Sequence, residues 1–171
     1  LGNLGAVYQA QGQQERASKF YSKAIDIHRE VGNKRSEGIV LGNLGDALFE
    51  LGRFTEAETA FRQAILMGDE MNPVSAGAFR GSLALLLARQ DHFQDALALL
   101  EAGEPQVQPN PDEHAKFLGK KGRVQLLVGQ AEAARESLGQ AQGIASELQV
   151  GEDSEMARAL GELADLLGEP A

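Results

Sequence analysis

Apolar residues recur along the chain at intervals of three and four, the period of a helix with one buried face. In the clearest stretch they fall at Ile39, Val40, Leu41, Leu44, Ala47, Leu48 and Leu51, and Gly52 ends the run. The period resumes at Phe54 and continues through Ala57, Ala60, Phe61, Ala64, Ile65 and Met67, until Asn72-Pro73 breaks it. Two helices joined by so short a turn form a hairpin, and the small side chains of Ala57 and Ala64 allow an approach of about 8 Å. Thr55 and Glu58 have the spacing of a capping box at the start of the second helix. Applied to the whole chain, the same pattern predicts nine helices at roughly 1–11, 15–31, 35–51, 55–70, 74–90, 93–102, 112–128, 131–149 and 153–168. The stretch Glu104 to Pro111, with prolines at 105, 109 and 111, is expected to be an extended connection, either a longer loop between repeats or a domain boundary.

The hairpin repeats. Leu-Gly-Asn-Leu-Gly at Leu41–Gly45 also opens the chain at Leu1–Gly5, and the second Leu of each marks a register that continues through Leu83, Lys121 and Leu163. The steps are 44−4=40, 83−44=39, 121−83=38 and 163−121=42 residues, the spacing of stacked repeat units. Two residues before each mark stands a glycine, at 2, 42, 81, 119 and 161, and thirteen residues after it an alanine, at 17, 57, 96 and 134. A glycine inside a helix costs about 1 kcal/mol relative to alanine. Five in register therefore point to close approach, either of neighbouring helices or of a ligand backbone.

These residues resemble the tetratricopeptide repeat. Leu4, Gly5, Tyr8, Ala17, Tyr21 and Ala24 match its pattern, as do Leu44, Gly45, Leu48, Ala57, Phe61 and Ala64. The third repeat has Gly103 where Ala is expected, and the fourth has Lys121 for Leu and Gln125 at a large apolar position. The period near 40 is similar to the long-helix subtype of spindle-orienting G-protein modulators and kinesin light chains. The resemblance implies an all-α, right-handed superhelical solenoid of antiparallel hairpins, one domain over 1–171 with repeats at about 1–34, 35–73, 74–111 and 112–152 and a final capping helix at 153–168. It also implies a non-catalytic scaffold that holds a protein or peptide segment in the groove lined by the first helix of each hairpin.

Carrying the family's inward positions onto this chain gives the candidate partner-binding residues Asn3, Asn43, Asp46, Glu50, Ser82, Arg89, Lys116, Lys120, Arg123 and Arg158. Cations concentrate at Arg89, Lys116, Lys120 and Arg123, which suits an acidic segment or a C-terminal carboxylate, although a solvated helix face has the same composition. Asn3 and Asn43 either hold a bound peptide's backbone amides or bond a neighbouring helix.

Composition narrows the function classes. The chain has 171 residues, a net charge of −9, no Cys, no Trp and three His, at 28, 92 and 114, without ligand spacing. No metal, cofactor or catalytic constellation is expected, and His28, His92 and His114 are expected on the surface. Gly119-Lys120-Lys121-Gly122 lacks the spacing of a phosphate loop. The acidic balance argues against nucleic acid and anionic membranes, and no apolar run reaches the roughly 20 residues of a membrane span. The expected location is the cytoplasm. Because Leu1 falls inside a repeat motif, the chain is expected to be a fragment, with self-association or further repeats at its N-terminal face. The alternative function is a sensor segment of a larger signalling protein or transcription regulator, taking an intramolecular segment or a small effector.

Overall fold

A computed structural model describes residues 1–168. They form nine helices, α1 Gly2–Ala10, α2 Gln14–Glu30, α3 Lys34–Glu50, α4 Phe54–Met71, α5 Pro73–Ala88, α6 Phe93–Val107, α7 Pro111–Leu127, α8 Ala131–Glu147 and α9 Glu155–Leu167, with no strand among the described residues. The chain divides into two compact units, Leu1–Phe79 and Arg80–Ala171.

In the first unit α1 pairs with α2 and α3 with α4, and α2 also packs on α3. The alanines in register, Ala17 and Ala57, are fully buried, so each hairpin closes on its smallest side chain. Gly5 and Gly45 do the same work from the facing helix: a Cβ on either would lie within 2.7 Å of the Tyr21 or Phe61 ring. The other glycine register joins successive first helices. Gly42 on α3 receives Phe79, whose ring would be 2.0 Å from an added Cβ, and Gly2 faces Val40.

The second unit repeats this logic. Gly81 on α5 receives Phe117 of α7, and Gly119 receives Leu160 of α9. Ala96 and Ala134 are fully buried. Met156, Leu160, Leu163 and Leu167 form the buried stripe of α9 and complete a core with Ala115, Leu118, Leu138 and Ala141. Close packing of helices thus accounts for the glycines at 42, 81 and 119, while a Cβ at Gly2 would make ordinary contact with Val40 at 3.5 Å and Gly161 faces open space.

Two local expectations are corrected. The stretch after Ala102 is not an extended connection: α6 continues through Pro105 to Val107, and α7 begins at Pro111 with Asn110 accepting a hydrogen bond from the Glu113 amide at 3.2 Å. An interior proline costs about 3 kcal/mol. Here Val107 is fully buried, Gln106 accepts from Arg80 at 2.7 Å and Glu104 accepts from Lys121 at 2.7 Å, so tertiary contacts hold the final turn in place. The capping box also fails. Arg53 is the N-cap of α4 and makes no side-chain cap bond, which puts Thr55 inside the helix; Thr59 donates to the Thr55 carbonyl, and Glu58 pairs with Arg62.

Candidate functional site

Helices α5, α7 and α9 build one wall of the second unit. Gly81 faces Phe117, Gly119 faces Leu160 and Gly122 faces Leu163, so the three helices run in parallel register and present equivalent positions side by side. Polar residues of the wall bond across it. Lys120 Nζ donates to the buried Ser82 hydroxyl at 2.6 Å, and Arg123 Nη2 donates to the Glu162 carboxylate.

The four predicted cations therefore differ in what surrounds them. Lys116 donates to Asp112 at 2.6 Å and Glu113 at 3.2 Å, both in the first turn of its own helix. Burial pushes its ammonium down, but those two carboxylates outweigh burial and hold it above its ordinary value. Lys120 has a neutral hydroxyl partner and bonds no carboxylate among the described residues. Arg123 is partly buried, and its Nε has no hydrogen-bond partner. Arg89 lies exposed just beyond α5. Arg158 is exposed on α9 and pairs with no carboxylate among the described residues.

The remaining predicted residues belong to the first unit. Asn43, Asp46 and Glu50 lie along α3, the first two half-buried and the third exposed; Asn3 is exposed on α1. Neither Asn3 nor Asn43 makes a side-chain hydrogen bond among the described residues. Glu50 borders an open depression of about 500 Å³ with Gly12, Gln13, Arg16 and Leu51. Leu1, the N-cap of α1, and Leu4 and Val7 on the helix are exposed, Leu4 by 40%.

Periodicity could not show three features. Position alone puts Glu162 on the inward face, yet it is the carboxylate that meets Arg123. Glu37 is only 4% exposed and accepts from Arg29 at 2.8 Å and Lys34 at 3.0 Å. Burial pushes its carboxyl up, but the two cations prevail and keep it below the ordinary carboxylate value. His114 is not a surface histidine; its ring is mostly buried, with Nε2 at 3.8 Å from Glu104. No cluster of metal-ligating residues occurs among the described residues, and no helix there is long and apolar enough to cross a membrane.

Comparison with known proteins agrees with this architecture. Two family models described as tetratricopeptide repeat match residues 1–67 and 77–102, together more than half of the chain. G-protein-signaling modulator 1 of Mus musculus is 43% identical over 42 residues, and the human protein of that name is 40% identical over 42. Those matches cover 25% of this chain and only 6% of the relatives' length. Among solved structures, BtubC from P. vanneervenii superposes with a TM-score of 0.68 at 18% identity, covering 90% of this chain and 65% of the other. The kinesin light chain TPR-like repeats of Podosopora anserina superpose with a TM-score of 0.64 at 19% identity, covering 98% and 85%.

Proposed function

The chain belongs to the tetratricopeptide repeat family, and from that premise we propose that it acts without catalysis, as a scaffold holding a peptide or protein segment against its first helices. The observation that carries this reading is the polar row on three parallel helices: Ser82 on α5, Lys120 and Arg123 on α7, and Arg158 and Glu162 on α9. Its backbone is fixed by buried helix packing, so a flexible ligand bears most of the ordering cost and the row selects by charge and spacing.

The ligand class best matched to the row is an acidic segment or a C-terminal carboxylate. Lys120 and Arg158 bring charge that no carboxylate of the described residues already neutralises, whereas Lys116 is held by Asp112 and Glu113 and contributes little. The effective centre is therefore Lys120, Arg123 and Arg158. The unbonded amides of Asn3 and Asn43 support a second role for side-chain amides, holding the backbone of a bound peptide. The proposed setting is the cytoplasm, since a cysteine-free chain needs no oxidising compartment.

The test is capture of binding proteins from a lysate of the source organism, comparing the chain with a Lys120→Glu, Arg123→Glu double variant of unchanged helicity. A protein kept by the first and lost by the second is the expected result. Equal retention by both would remove the polar row from the binding surface.

A further inference from the structure

Glu162 stands where an external carboxylate would be expected. Its side chain is 65% exposed, outside the buried stripe of α9, and reaches back to Arg123 on α7. Because α7 and α9 run in parallel, one turn toward their N-termini from this pair brings Lys120 on one helix and Arg158 on the other. Glu162 thus lies within about one turn of three cations, Lys120, Arg123 and Arg158, with the exposed Asp165 the next carboxylate along α9. The patch is not saturated by it. Glu162 takes one guanidinium nitrogen of Arg123, whose Nε is buried, while Lys120 uses one of its three donors on neutral Ser82 and Arg158 is unpaired among the described residues.

We propose that Glu162 is a built-in stand-in for an acidic side chain of the partner, which binds by displacing it from Arg123. This rests on the scaffold reading above and narrows it from a charged wall to an exchange at one guanidinium. The exchange also sets a threshold. An exposed ion pair shifts an equilibrium by a factor of about five or less, so Glu162 is easily displaced, yet one incoming carboxylate gains little over the carboxylate that it replaces. A segment with two nearby acidic side chains gains more, because the second reaches Lys120 or Arg158, which Glu162 does not bond. Glu162 therefore biases the site toward partners with clustered acidic residues and against isolated ones.

The experiment measures fluorescence anisotropy of a labelled hexaglutamate peptide titrated with the chain at low ionic strength, beside Glu162→Gln and Arg123→Gln variants of matched helicity, with hexaglutamine as the control peptide. Removal of the competing charge is expected to tighten hexaglutamate binding about two- to fivefold, the range of an exposed ion pair, and Arg123→Gln is expected to weaken it. If Glu162→Gln leaves binding unchanged or weaker while Arg123→Gln weakens it, the exchange is refuted and the scaffold reading stands. If hexaglutamate binds no better than hexaglutamine, or Arg123→Gln has no effect, the acidic-partner reading falls as well.

Discussion

At the places where α3 and α4 carry Leu44, Leu48 and Ala60, α7 and α8 carry Lys121, Gln125 and Ser137 two repeats later. Leu48 and Ala60 are each 5% exposed, as core residues should be. Gln125 and Ser137 are buried too, and the Ser137 hydroxyl donates to the Gln125 amide oxygen at 2.7 Å. Lys121 reaches Glu104, which occupies the position of Ile25 and Ile65 in the first two repeats. The difference shows that the repeat requires filled volume and satisfied partners rather than apolarity. A lone polar group in such a place leaves a buried donor or acceptor unmet, whereas two that change together meet each other.

The largest expected effect lies where the α3 hairpin has the tighter joint. A Cβ at Gly42 would lie 2.0 Å from the Phe79 ring, held in the core, whereas at Gly119 it would meet only the flexible end of Leu160 at 3.1 Å. Gly42→Ala should lower stability by about 3 kcal/mol and Gly119→Ala by clearly less, as measured by urea unfolding. Equal losses would mean that the two joints are equally tight. Gly161→Ala, with open space around it, is the control and should gain up to about 1 kcal/mol from helix propensity.

The polar substitution in the α7 hairpin can be reversed. Gln125→Leu alone leaves the Ser137 hydroxyl without its acceptor and should cost about 1–3 kcal/mol. Adding Ser137→Ala recreates the pair found at Leu48 and Ala60, and the double variant should return close to the parent stability. Thermal unfolding of all four members of the cycle would show the coupling, and additive losses would dissolve the claim that the two residues exchanged together.

The two hairpins should also differ on acidification. Glu37 in α3 stands where α7 has His114, and its carboxylate is held below its ordinary value by Arg29 and Lys34 against the opposing effect of burial. A depressed carboxyl contributes stability that is present above its unfolded value, near 4.5, and is lost as the pH falls through the lower folded value. Stability measured between neutral pH and about pH 3 should therefore fall below about pH 4.5, and Glu37→Gln should flatten that part of the curve. An unchanged slope in the variant would place the acid sensitivity elsewhere.

The smallest effect should be the same in both hairpins. Gly52 and Gly129 turn the chain with φ of 73° and 85° and have nothing within 4 Å of an added Cβ. Alanine at either should cost about 1 kcal/mol through backbone strain alone, as thermal unfolding would show. The corresponding turn of the third repeat tolerates Asp91 at φ 62°, so the cost is bearable within an otherwise packed hairpin.

Much of this architecture was legible because it is written in local terms. Helix boundaries agree to within one or two residues along most of the chain, since apolar period, turn glycines and Asn72-Pro73 act over a few residues. The exception at Pro105 is informative. Its neighbours Glu104, Gln106 and Val107 are fixed by Lys121, Arg80 and the core, none of which is adjacent in sequence. The candidate wall was legible as a set of positions, but the distinction between Lys116, held by its own helix, and Lys120, joined to Ser82, was not.

Periodicity, small residues and chain-reversing turns follow from the geometry of a single helix and its nearest neighbour, so the nine helices of the described residues and the two glycine registers can be read along the chain. Which charges meet depends instead on packing between helices distant in sequence, since Arg123 and Glu162 are joined through the parallel register of α7 and α9. That register is set by buried contacts such as Gly119 with Leu160, and the long, flexible charged side chains above them simply take the partners that packing brings within reach.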